Sequence, residues 1–257
     1  MRRISRRTLL TAGSVAVTAA AAGLYLRENR GPAQVMPTAP AGDERLTQEH
    51  SEARGRTVDF YTAVPDGYGD GRGLPVCLIL HGGSKRPADF AGLGLGRFLT
   101  EAVQRGAAPF VLAGATGDQL AWKPHGDDDP QRMAHEEIPA WCAARDFDTT
   151  RLAAWGWSMG GSGALLLAAT FPSFVRAVAA FSPAVAPGDA VFRAAPNLRP
   201  TPIGLWCGRD DNLYDNVRAL PVRRAAGSYG DGNHNFAYWS TAIPAAFDFI
   251  AATLNSV

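Results

Sequence analysis

From Arg56 onward the chain reads as apolar runs separated by amphipathic or glycine-bearing stretches. Residues 58–64 alternate in the two-residue period of a half-buried strand, which predicts an edge strand. Residues 75–80 (PVCLIL) are apolar without a break, the pattern of a strand covered on both faces. Similar runs at 110–113, 152–157, 175–181 and 203–207 predict four further strands. Helix-length segments lie between or after them at 88–105, 131–145, 160–170 and 215–220. A closing helix is expected over 238–254, with Pro244 interrupting or kinking it. Strands alternating with helices predict an α/β fold, a mostly parallel central sheet flanked by helices on both sides. In such sheets ligands bind beyond the carboxyl ends of the strands, so the chemistry should be sought there.

The N-terminal part follows a different pattern. Arg2, Arg3, Arg6 and Arg7 precede an uncharged stretch, residues 8–26, and no acidic residue occurs before Glu28. A basic head followed by a mildly apolar body is the layout of an export signal. Ser5-Arg6-Arg7-Thr8-Leu9-Leu10 looks like its twin-arginine version, and Ala19 to Ala22 offer small residues to a signal peptidase. The sequence thus predicts a signal over 1–22, the twin-arginine translocation machinery as a partner, and export across a bacterial cytoplasmic membrane. The alternative is a retained membrane anchor, although nineteen uncharged residues barely span a bilayer. Residues 23–55, with Pro, Ala and mixed charge but no apolar period, predict a linker. That leaves 56–257 as one domain.

Composition narrows the class. At 257 residues with 46% hydrophobic and 19% charged positions, 28 Gly and 18 Pro, the profile is globular and rich in turns. The formal charge of +1 averages two unlike parts. Removing residues 1–22 takes four of the 25 basic residues and no acid, so 21 basic residues face 24 acidic ones, a net of −3. No positive field remains to recruit nucleic acid. Cys77, Cys142 and Cys207 do not show zinc-site spacing and are too few for a disulfide scaffold; buried free thiols are expected.

The motif with the most chemical content is Gly156-Trp157-Ser158-Met159-Gly160, between a predicted strand and a small-residue helix. It fits the Gly-x-Ser-x-Gly elbow, in which the chain turns so sharply at the serine that side chains two residues either way would collide. Serine needs a base to take its proton, and the base an acid to orient it. The run ending at Cys207 leads into Gly208-Arg209-Asp210-Asp211-Asn212, which puts two carboxylates past a strand end. Gly232-Asn233-His234-Asn235 then places a histidine in a polar loop before the last helix. His50, His81, His125 and His135 all precede the serine, so His234 alone follows the order Ser, Asp, His. Leu80-His81-Gly82-Gly83 ends the first core strand and offers a backbone N–H, best from Gly83, to pair with that of Met159 around an oxyanion. His81 is then structural.

These residues resemble the α/β-hydrolase superfamily, in particular its esterase D-like and antigen 85-like esterases. The marks are Leu80-His81-Gly82-Gly83, Gly156-Trp157-Ser158-Met159-Gly160-Gly161, Cys207-Gly208-Arg209-Asp210-Asp211 and His234-Asn235-Phe236-Ala237-Tyr238-Trp239, and the resemblance covers 56–257. It implies ester hydrolysis through an acyl-enzyme, without metal or cofactor. It also favours Asp211 over Asp210 as the acid, while the short segment between Asp211 and His234 leaves that choice open. Trp157, Trp122 and Trp239 become candidates to line the substrate cleft. The expected partner is an ester: a small acyl ester, an acylated sugar or a cell-envelope lipid. The other readings are acyl transfer to a sugar or glycolipid acceptor, as in the antigen 85 branch, and a binding protein that keeps the fold without catalysis. Only residues 184–202 are available for a lid, so an open cleft is expected. Asp127-Asp128-Asp129 could suggest calcium, but a solvated or helix-capping loop accounts for it more simply.

Overall fold

The computed structural model describes residues 32–256. The signal and anchor readings, over 1–22 and 8–26, lie outside the described residues. Eight strands form one sheet in the order β1-β2-β4-β3-β5-β6-β7-β8. These are β1 (Asp43–Ser51), β2 (Arg56–Val64), β3 (Pro75–Leu80), β4 (Val111–Ala115), β5 (Asp148–Trp157), β6 (Val178–Phe181), β7 (Ile203–Trp206) and β8 (Arg224–Ala226). From β4 through β8 neighbouring strands are parallel, whereas β1 and β2 pair antiparallel. The helices are α1 (Leu95–Gln104), α2 (Ile138–Ala143), α3 (Met159–Thr170), α4 (Ala190–Ala194), α5 (Tyr214–Ala219) and α6 (Phe236–Leu254).

All six residues of β3 are buried, and its side chains alternate between two apolar layers. Val76, Leu78 and Leu80 face a layer containing α3. Cys77 and Ile79 face one that contains α1 and α6. A strand between two helical layers has no polar face to present, hence its uninterrupted apolar sequence. Each such aliphatic side chain contributes about 1.5–3 kcal/mol through burial.

Four expectations change. The linker over 23–55 gives way at Asp43 to β1, nine residues paired along the whole of β2, and β2 is therefore interior rather than an edge. The helix expected from residue 88 begins at Leu95, because residues 87–89 form a 3-10 turn and Gly94 takes a left-handed φ of +76°. The segment 131–145 is a helical turn (Pro130–Arg132), a π-helical stretch (Met133–Glu137) and then α2. α6 runs through Pro244 without interruption. The buried face from Trp239 to Leu254 outweighs the roughly 3 kcal/mol that an interior proline costs.

Residues 184–202 hold only the five-residue α4 and a 3-10 turn (Ala195–Leu198), so little chain stands over the strand ends. Among the described residues, no helix is long and apolar enough to cross a membrane.

Candidate active site

The turn from β5 into α3 is closed by backbone crowding. A Cβ on Gly160 would lie 1.8 Å from the Leu80 carbonyl oxygen, and one on Gly156 would lie 2.3 Å from the Gly160 carbonyl oxygen. Only glycine lets α3 start this close to the ends of β3 and β5. Ser158 takes a φ of +53° and ψ of −122°, a strained region for a side-chain-bearing residue, immediately before the first turn of α3. Met159 opens α3, so its N–H has no carbonyl four residues back to bond within the helix.

Asp211 is placed by the turn after β7. Its N–H donates to the Gly208 carbonyl at 3.2 Å, and its Oδ1 accepts the Leu213 N–H at 2.8 Å. The loop that carries the histidine is joined to this turn backbone to backbone: Arg209 N–H donates to Gly230 O at 2.8 Å and Asp210 N–H to Gly232 O at 3.0 Å. A Cβ on Gly208 would lie 2.1 Å from the Gly232 oxygen, which shows how closely the two loops pass. With only α5 and the three-residue β8 between them, 22 intervening residues suffice. Asn235 then caps α6, its Oδ1 accepting the Tyr238 N–H at 3.0 Å.

The three side chains meet in a line. His234 Nδ1 lies 2.9 Å from Asp211 Oδ2 and 3.1 Å from Oδ1, and His234 Nε2 lies 2.8 Å from Ser158 Oγ. A carboxylate only accepts, so Nδ1 carries the proton and Nε2 turns its lone pair to the serine hydroxyl. The Asp211 side chain is fully buried, that of His234 is 29% exposed, and Asp210 is exposed. Burial would raise the Asp211 carboxyl. Hydrogen bonds from His234, the Ser182 hydroxyl and the Leu213 N–H instead hold it below the usual carboxylate range.

His81 stays outside this line. Its Nε2 accepts the Gly117 N–H at 2.8 Å, so Nδ1 carries the proton toward Gly82 O at 2.9 Å. Burial pushes its pKa down, which keeps it a neutral bracket between the loops after β3 and β4. Gly83 sits in the first of these loops, and its carbonyl accepts from Gln119 Nε2.

Trp122, Trp157 and Trp239, expected along the cleft, belong instead to the core, with exposures of 1%, 1% and 6%. Trp157 lies under Phe90 and against Trp155. Trp122 fills the space left by Gly117 and Gly163, and its Nε1 donates to His81 O at 3.1 Å. Trp239 supports the site from beneath: its ring stands at 85° to the His234 ring, 5.0 Å away, and its Nε1 donates to Ser182 Oγ at 3.0 Å. Ser182 and Gln119 went unnoticed in the sequence. The first is a buried serine at a strand end with a φ of +41°, and no motif in the sequence marks it. Nothing in the sequence pattern marks Gln119.

The aspartate run divides between structural tasks. Asp129 caps the turn at Pro130, accepting the Arg132 N–H at 2.8 Å, and Asp128 pairs with Arg54 and Arg56. Among the described residues no group of three or more His, Cys, Asp or Glu is arranged to hold a metal ion. The three cysteines are free and buried, and burial pushes the Cys142 and Cys207 thiols up to about 12.

Residues 51–219 match the family described as "Putative esterase". No curated protein sequence matches significantly. Among solved structures, a ferulic acid esterase superposes with a TM-score of 0.73 at 18% identity, over 83% of this chain and 98% of the other. A fluorophosphonate-binding serine hydrolase of Staphylococcus aureus gives 0.69 at 16% identity, over 82% and 98%. An S-formylglutathione hydrolase of Agrobacterium tumefaciens gives 0.66 at 18%, over 88% and 100%. At these identities the structures speak for the fold, the α/β-hydrolase fold, and the family match speaks for the class of reaction. The chain belongs to this esterase family and is a carboxylic ester hydrolase on an α/β-hydrolase fold.

Proposed function

We propose that the chain is a serine esterase working through an acyl-enzyme. The observation that carries this is the unbroken hydrogen-bonded line from Ser158 Oγ through His234 to Asp211, at 2.8 Å and 2.9 Å. His234 takes the Ser158 proton as Oγ attacks the ester carbonyl carbon, and the carbonyl π electrons move onto oxygen. The N–H groups of Gly83 and Met159 hold that oxyanion. As the carbonyl re-forms, the alcohol leaves with the proton from His234. Water, deprotonated by the same imidazole, then releases the acid and regenerates Ser158. Asp211 keeps the imidazole in the reactive tautomer and stabilises the imidazolium.

A serine-directed fluorophosphonate should label the wild type and not Ser158→Ala. That variant should lose ester hydrolysis by a factor of about 10³ or more. Labelling that persists in Ser158→Ala would remove Ser158 as the nucleophile. Adding acceptor alcohols separates hydrolysis from acyl transfer: release of free acid at an unchanged rate supports the hydrolase. Export by the twin-arginine route is part of the same reading and rests on the sequence of residues 1–22. Arg6→Lys with Arg7→Lys should retain the protein in the cytoplasm.

A further inference from the structure

The chain just past β6 is tied to the nucleophile twice. The Ser158 N–H donates to Phe181 O at 2.9 Å, and the Ala184 N–H donates to Ser158 O at 3.0 Å. Between these anchors stands Ser182, fully buried and with a left-handed φ of +41°. A residue that carries a side chain keeps such a φ only where its surroundings over-determine it. Here the Ser182 N–H extends the β6–β7 ladder by one step, donating to Trp206 O at 2.7 Å. The hydroxyl is constrained as well. An indole N–H can only donate, so the Ser182 oxygen accepts from Trp239 Nε1 at 3.0 Å and its own hydrogen must point elsewhere. Two groups adjoin it, the Asp211 carboxylate and the Cys207 thiol. Burial keeps the thiol protonated and a weak acceptor, whereas the carboxylate is charged, so the charge-assisted bond to Asp211 wins. Asp211 thus takes hydrogen bonds from His234, from the Leu213 N–H in its own turn, and from Ser182. Of these three donors only Ser182 belongs to the segment bonded to Ser158.

We propose that Ser182 is a positioning residue for the reaction: donating to Asp211 while accepting from Trp239, it fixes the carboxylate, and through it the His234 imidazole, relative to Ser158. The inference rests on the reading of Ser158, His234 and Asp211 as nucleophile, base and acid. Trp239 serves the same end from its other side, since its ring packs against that of His234 at 5.0 Å. Without the hydroxyl, the carboxylate loses a donor that cannot move independently of the nucleophile, and small misplacements of a reacting group are costly in rate. Substrate affinity should be spared, because Ser182 is buried behind Asp211 and reaches no solvent.

The test is a double-mutant cycle in the full chain, read by hydrolysis of p-nitrophenyl butyrate and by the rate of fluorophosphonate labelling. Ser182→Ala removes the hydroxyl and keeps the Cβ. Ser182→Gly removes it at a φ that glycine adopts freely, and carries the test where the alanine variant does not fold. Either variant should lower kcat about tenfold with KM within twofold, and should slow labelling of Ser158 by a similar factor. In an Asp211→Asn background the same substitution should cost less than a further twofold, because the hydroxyl acts through the carboxylate. A hydroxyl that only shapes the core would cost the same factor in both backgrounds. Equal factors, a loss confined to KM, or an unchanged kcat in Ser182→Gly overturns the role of Ser182 while leaving the esterase intact. Hydrolysis and labelling undiminished by Ser158→Ala remove the reading of the site and this inference with it.

Discussion

Asp210 and Asp211 are adjacent carboxylates in one turn, yet only one of them faces His234. The Asp211 N–H folds back on Gly208, which turns its side chain inward, while the Asp210 N–H bonds Gly232 and its side chain is left in solvent. Asp211→Asn should thus lower kcat by about 10³–10⁴, since an amide no longer enforces the Nδ1–H tautomer. Asp210→Asn should stay within about twofold. Steady-state kinetics of the two variants on one ester decides this. The same carboxyl makes a pH prediction. It stays ionised in the fold to lower pH than in the unfolded chain, where its pKa is about 3.9. Its contribution to stability is then complete above that value and lost as pH falls through the lower folded pKa. Urea unfolding of Asp211→Asn should accordingly lose less stability between roughly pH 5 and pH 3 than the wild type does; an equal loss would mean that the carboxylate is not held by the fold. Ser158 and His234 were legible because the chemistry fixes their order and setting. Between Asp210 and Asp211 only the family resemblance favoured Asp211, and the residues themselves left the choice open, because it depends on which of two neighbouring peptide N–H groups turns back on the strand end. The tryptophans misled for a related reason: proximity to the strand ends does not say which face of the sheet a side chain fills.

At the level of elements, the apolar runs were readable wherever a strand lies between two helical layers, as β3 does. They were silent where the strand buries no apolar face. β1 reads DERLTQEHS, with Leu46 its single aliphatic residue and half exposed, and its nine residues are ordered by main-chain pairing to β2. β8 (RAA) is shorter still. Neither has a buried face long enough to imprint a two-residue period. The elbow, by contrast, was fully legible, because steric exclusion leaves one residue type at two positions. Gly160→Ala puts a carbon 1.8 Å from the Leu80 oxygen, so α3 must move away from β3. This should cost about 3 kcal/mol of stability and displace Ser158 as well. Chemical denaturation together with fluorophosphonate labelling measures the two effects. A variant of wild-type stability and labelling rate would show that the crowding is relieved elsewhere.

For the whole molecule, the question is where the cooperative unit begins. The family match starts at residue 51, and the sequence pattern placed the domain at 56, but the sheet starts at Asp43. β1 does more than extend the edge. Glu44 accepts from the Tyr61 hydroxyl, and Arg145 bonds Thr47 on β1 and Thr62 on β2 at 2.8 Å each, tying the ladder to the segment that follows α2. Further along, Arg54 is buried between Asp118, Asp128 and the Thr116 carbonyl, so the chain just after β1 holds the loop that brings Gln119 to Gly83. A chain begun at residue 52 keeps Arg54 but loses β1, which leaves the β2 edge and its backbone N–H and C=O groups open. Such an edge invites pairing with other chains. Compared with a chain begun at residue 32, the shorter one should unfold at lower urea concentration and aggregate in proportion to its own concentration. It should still bind a fluorophosphonate while folded, because the line from Ser158 to Asp211 spans the ends of β5 to β7, four to six strands from β1 in the sheet. Equal midpoints and equal solubility would place β1 outside the cooperative unit. Loss of labelling in the folded short chain would mean instead that the edge strand governs the site through the Arg54 loop.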